Sequence, residues 1–111
     1  MYQIKLQHIQ DCIGRAEAAE IFELILKEGP SLLLCLNENF RANKHQEIQL
    51  QLSKSIGSIH LYGSPELVNL CRCIANENPL LECSENELGS FQETLNMEFK
   101  KSFSAIERFL S

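Results

Sequence analysis

A chain of 111 residues, 44% hydrophobic and 23% charged, suits one globular domain spanning 1–111, long enough to bury a single core without disulfide or metal staples. Its net charge of -5 and the lack of any Lys/Arg cluster exclude a phosphate-backbone binder, so nucleic acid is not an expected partner. The longest apolar runs, such as Leu32 to Leu36, fall far short of the roughly 20 residues of a membrane span, and no basic segment followed by an apolar one opens the chain, so a cytoplasmic protein away from the membrane is expected.

Tyr2 to Ile13 carries Ile4, Leu6, Ile9 and Ile13 and is closed by Gly14 at a C-cap position, which predicts a short first helix. From Ala16 to Phe40, the residues Ala18, Ile21, Phe22, Ile25, Leu32, Cys35, Leu36 and Phe40 recur at threes, fours and sevens, the longest helical tract of the chain. Gly29-Pro30 interrupts it, because proline removes a backbone donor and clashes with the turn before it. The apolar phase resumes beyond the proline, which predicts one kinked helix rather than two. The polar run from Asn37 to Lys44 leads into a short turn.

A third helix is expected from about His45 to Leu61. Its Ile48, Leu52, Ile59 and Tyr62, with small Ser55 between, recur at steps of four, three, four and three and form an inner side. Ser53, Ile56, Gly57 and His60 form a second stripe that faces away from the core. Gly57 in mid-helix costs about 1 kcal/mol relative to alanine, a cost that makes sense where another backbone must come close.

Gly63 ends this helix, and Ser64-Pro65-Glu66 opens the next with an N-cap hydroxyl, a proline in the first turn and an acid near the positive helix end. Leu67, Leu70, Cys71 and Ile74 are its inner face, and Asn76 to Pro79 is a turn. Ser84-Glu85-Asn86-Glu87 reads as a capping box. From Leu88 the positions Phe91, Leu95, Phe99, Ser102, Phe103, Ile106 and Leu110 describe a long amphipathic helix whose phenylalanines belong to the core. With no strand-period segment competing, the expected fold is all-α: an antiparallel up-and-down four-helix bundle with the short N-terminal helix capping one end.

The odd set of Cys12, Cys35, Cys71, Cys73 and Cys83 has no zinc-type spacing and reads as buried or part-buried free thiols in a reducing compartment, with no disulfide. Cys71 and Cys73 are two apart on a helix, point in different directions and do not share a metal. No Glu-x-x-His pair, glycine-rich phosphate loop or Ser/His/Asp arrangement is found, so neither metal, cofactor nor enzymatic activity is expected. His8 and His45, near a helix end and a turn, read as solvated.

The run Ser53-Lys54-Ser55-Ile56-Gly57-Ser58-Ile59-His60-Leu61-Tyr62-Gly63-Ser64, with Leu67, Leu70 and Cys71 beyond it, resembles the core of histidine-containing phosphotransfer (HPt) domains, whose pattern is His-x-Leu-Lys-Gly-Ser followed by small residues and a Leu-Cys. The resemblance extends upstream, where Ile13-Gly14, the Glu23 to Pro30 stretch and Asn43-Lys44 fall at the family's helix boundaries. It implies a four-helix bundle whose second bundle helix docks onto the receiver domain of a response regulator or a hybrid histidine kinase. Ser53 stands at the position of the family's phospho-accepting histidine and Ile56 at that of its lysine, whereas Gly57 and Ser58 match. Imidazole is a good nucleophile near neutral pH and its phosphoramidate passes the group on; a serine needs an activating base and yields a stable ester.

The resemblance therefore implies a degenerate member with no catalytic residue at the usual position. Ser53, Lys54, Ile56, Gly57 and His60 are the candidate partner-binding residues, with Lys54 and Lys44 supplying rim charge toward an acidic receiver pocket. His60, two helical turns after Ser53, is the alternative phosphoryl acceptor. A third reading recruits the fold as an adaptor or inhibitor for a target outside two-component signalling. The same apolar stripe also suits pairing of two copies as a homodimer.

Overall fold

Five α-helices follow one another in the computed structural model, which describes residues 2–111 and only the backbone of 2–4. They are α1 (Tyr2–Ile13), α2 (Arg15–Arg41), α3 (His45–Tyr62), α4 (Pro65–Glu77) and α5 (Glu85–Leu110), with a short 3₁₀ helix at Pro79–Glu82. The described residues contain no strand. The apolar role expected of Ile4 lies outside the described side chains. At about 1.5 Å of rise per residue, α2 with 27 residues and α5 with 26 each run nearly the full 44 Å length of the molecule.

The packing pairs α2 with α5 and α3 with α4, and α1 lies against both α2 and α5. One core results, from Leu6 of α1 through Phe22 and Leu36 of α2, Ile48, Leu52 and Ile59 of α3, and Leu67 and Ile74 of α4 to Leu95, Phe99 and Ile106 of α5. Each such side chain removed from water contributes about 1.5–3 kcal/mol, set against the entropy of ordering the chain. No described helix is long and apolar enough to cross a membrane.

The helix starts follow local chemistry. The Ser64 hydroxyl accepts a hydrogen bond from the Leu67 amide at 3.2 Å, with Pro65 in the first turn where no donor is needed. At α5 the Glu87 amide donates to Ser84 Oγ at 3.3 Å while the Ser84 amide donates to Glu87 Oε1 at 3.1 Å, the reciprocal pair of a capping box. These bonds hold the Glu87 carboxyl below the ordinary glutamate range. Gly14 joins α1 to α2 at a φ of +96°, a conformation that L side chains rarely adopt.

Polar groups fix the register between helices. Asn37 of α2 and Asn96 of α5 exchange amide hydrogen bonds at 2.8 and 2.7 Å, and Gln92 Nε2 adds a third to Asn37 Oδ1 at 2.9 Å. Buried Glu98 of α5 accepts from the Ser64 hydroxyl at 3.2 Å and pairs with Lys101 at 3.5 Å, which ties the start of α4 to α5.

α2 departs from its expected inner face. It is one helix through Pro30, as the phase implied, so the Glu23 to Pro30 stretch is helix interior and not a boundary. Its buried residues are Ala18, Phe22, Gly29, Leu33, Leu36 and Phe40. Leu33 therefore takes the core place expected of Leu32 and Cys35; Leu32 is half-buried and Cys35 exposed. The reason is Gly29: a Cβ there would stand 2.5 Å from Phe103 Cε1, so α2 can bring its bare backbone against the α5 ring, and the stripe runs through the glycine. Cys12 and Cys73 are exposed as well, contrary to the buried reading of the thiols, whereas Cys71 is buried and its thiol is pushed up to about 12 by burial. His45 is not solvated: it is half-buried at the start of α3, its carbonyl accepts from Asn78 Nδ2 at 3.4 Å, and its Nε2 is buried without a hydrogen-bond partner.

Candidate functional site

The inner face of α3 is the expected one. Ile48, Leu52, Ile59 and Tyr62 are buried, which turns the opposite stripe outward. α4 packs alongside with Leu67, Val68, Cys71 and Ile74 buried, and Gln49 Nε2 of α3 donates to the Ala75 carbonyl at 3.0 Å. Between the two helices runs a surface groove of about 400 Å³. Ser53, Ile56, Gly57 and His60 form its α3 wall, and Arg72, Ala75 and Asn76 its α4 wall. The four stripe residues thus come together on one feature.

Lys54 does not join them. It lines a second groove on the other side of α3, against α2. Lys44, nine residues before Ser53, sits at the N-terminus of α3 in a depression with Asn39, Asn43 and Glu47, about 13 Å along the axis from Ser53. Ile56 is half-buried and packed against the core cluster rather than fully exposed. Ser53, Gly57 and His60 are exposed.

Two residues, one in the groove and one beside it, escaped the sequence reading. Arg72 supplies the groove's permanent cation, and none of the groove-lining residues is acidic, in a chain with 15 Asp and Glu. Among the described residues the one ion pair is Glu98 with Lys101, so Arg72 has no carboxylate partner. The signal was present in the spacing Val68, Arg72, Ala75, Asn76, which repeats at four, three and one and marks the side of α4 next to α3.

Lys5 of α1 is the second. Its Nζ donates to the His60 carbonyl at 2.6 Å and to the Gly63 carbonyl at 2.8 Å, satisfying two acceptors at the C-terminal end of α3, where a cation also meets the negative end of the helix dipole. Partial burial lowers the pKa of this ammonium group. Nothing in the local sequence around Lys5 points 55 residues ahead to His60.

Gly57 is open: nothing lies within 4 Å of where its Cβ would be. No contact among the described residues therefore accounts for a glycine in mid-helix. No hydrogen bond between described residues reaches the Ser53 hydroxyl, and His60 stands about 10 Å further along the helix axis. No cluster of three or more His, Cys, Asp or Glu side chains among the described residues is placed to hold a metal ion.

Fold and groove together define an all-helical protein with an acid-free cleft between its third and fourth helices, Gly57 in one wall. No protein-family model, no curated protein and no solved structure matches the chain.

Proposed function

We propose that the chain is a degenerate HPt-like signalling module. In this reading α2 to α5 form an antiparallel up-and-down four-helix bundle capped by α1, working in the cytoplasm. Its α3/α4 groove docks onto the receiver domain of a response regulator or onto a hybrid histidine kinase, and it modulates a phosphorelay without carrying phosphate at Ser53.

The observation that carries the reading is Gly57. Its cost of about 1 kcal/mol relative to alanine has no return among the described residues, none of which lies within 4 Å of where its Cβ would be; it has one if a partner's surface must approach the helix backbone there. Arg72 supports an acidic partner, since an exposed guanidinium without a carboxylate neighbour is ready for a bidentate pair. Half-buried Ile56 adds apolar contact beside the glycine. A serine nucleophile needs a base within hydrogen-bond reach, and Ser53 has none, which supports docking without phosphate transfer at that position. A second reading rests on His60, an exposed imidazole in the same groove, as the phosphoryl acceptor.

The test is binding and phosphoryl transfer with a panel of receiver domains, each presented free and phosphorylated. Docking predicts a complex with at least one receiver that Gly57→Arg abolishes and that Ser53→Ala leaves within about threefold in Kd. Acid-labile phosphate that appears on the parent protein and vanishes in His60→Ala would replace this reading with active relay through His60. Failure of every receiver and kinase to bind would leave the fold recruited to a target outside two-component signalling.

A further inference from the structure

A second groove, of about 370 Å³, lies between α2 and α3 on the side of α3 away from Gly57. Its floor is Ile59 and Tyr62, and it carries two of the chain's large exposed apolar side chains, Leu24 on the α2 wall at 51% exposure and Leu61 on the α3 wall at 37%. Leucines this open, flanked by half-buried Ile21, Ile25 and Leu32, form a continuous apolar patch and not isolated surface residues.

Each wall also carries one charge of opposite sign, Glu28 on α2 and Lys54 on α3, both exposed. They belong to the same groove and yet form no ion pair with each other. The site is locally neutral in a chain of net charge -5, so two acidic copies can meet there without a local excess of like charge.

We propose that this groove is a self-association surface whose occupant is a second copy of the chain. A two-fold axis running along the groove sets α2 of one copy against α3 of its partner, twice over, as an isologous interface requires. Leu24 then meets the partner's Leu61, and Glu28 the partner's Lys54, each contact made two times. Leu24 and Glu28 are one turn apart, about 6 Å, and Lys54 and Leu61 two turns, about 10.5 Å. The difference of about 4.5 Å lies within the combined reach of a lysine and a glutamate stem. The charge pattern is what selects a second copy: a face bearing one acid and one base on opposite walls is complementary to itself. The α3/α4 groove stays free in such a dimer, so this inference does not depend on receiver docking.

Sedimentation equilibrium across a range of protein and salt concentrations tests it. The parent chain is expected to show a monomer-dimer equilibrium that weakens with added salt. Leu24→Asp, at an exposed position and checked for unchanged helicity, should be monomeric throughout. Glu28→Lys and Lys54→Glu should each weaken dimerisation about tenfold, and the double charge swap should bring it back, because only the swap restores opposite signs across the two-fold. A parent that stays monomeric up to about 1 mM, a dimer that survives Leu24→Asp, or a double swap no better than the single changes would each overturn the proposal.

Discussion

Gly29→Ala and Gly57→Ala make the same chemical change in the middle of a helix, and the structure gives them opposite signs. On propensity alone each gains about 1 kcal/mol of stability. At Gly57 nothing lies within 4 Å of the new methyl, so the gain is realised in full. For a chain of 111 residues it raises Tm by about 4–6 °C.

At Gly29 the methyl would stand 2.5 Å from Phe103 Cε1 and 2.6 Å from Cζ, about 1 Å closer than contact allows. The ring has little room to retreat. Phe103 is only 7% exposed, stacked on Tyr62 at 6.1 Å and tilted against Phe99 at 5.9 Å. Overpacking of this kind costs about 1–3 kcal/mol, and a Cβ on the residue before Pro30 adds a clash of its own in the helical region. The net expectation is a loss of about 1–2 kcal/mol. Urea titrations followed by far-UV circular dichroism, with m unchanged, measure both variants. A Gly29→Ala protein at least as stable as the parent would refute the close α2/α5 approach, and a destabilised Gly57→Ala protein would mean that the fold, and not a partner, needs the glycine.

Lys5→Met should cost about 1 kcal/mol and speed amide exchange in the last turn of α3, because the carbonyls of His60 and Gly63 lose their donor; unchanged exchange there would exclude the cap. Ser84→Ala should cost about 1 kcal/mol by thermal melting. Because the Glu87 carboxyl is held low in the folded state, its contribution is present above the ordinary carboxylate range and lost as pH falls through the folded value. The start of α5 should therefore fray in acid, and Glu87→Gln should flatten that limb of the stability-pH curve. With Ellman's reagent, the exposed Cys12, Cys35 and Cys73 should react first. Cys83 should follow slowly, its thiol raised by desolvation and by the Glu87 and Glu82 carboxylates, and Cys71 should react only on unfolding. Fast labelling of Cys71 in the folded protein would contradict its burial.

The two grooves show how one helix serves two surfaces. α3 buries Ile59 and Tyr62 inward, sends Gly57 and His60 to the α4 side and Lys54 and Ser58 to the α2 side. Adjacent residues Ser53 and Lys54 are about 100° apart around the helix, so sequence neighbours diverge onto different features. That rotation carries Lys54, expected as rim charge beside the stripe, to the α2 side of the helix.

Helix number, order and ends were legible in the sequence because they depend on interactions within a few residues: the Ser84/Glu87 box, Ser64-Pro65, Gly14, and the three-four spacing of α3 and α5. The inner face of α3 was legible for the same reason, and with it the stripe of Ser53, Ile56, Gly57 and His60. Tertiary structure decided what depends on partners far along the chain. Gly29 looked like an interruption and is a core position because Phe103, far along the chain on α5, fills the space that its missing side chain leaves. Arg72 became part of the groove only when α4 came to lie beside α3, and Lys5 became a cap for α3 only when α1 reached its far end. A helix carries its own hydrogen bonds and its own periodicity, so local sequence suffices to specify it. Which of its faces closes a core, floors a groove or meets a charge is set by the side chains of other helices, and that information is absent from the stretch itself.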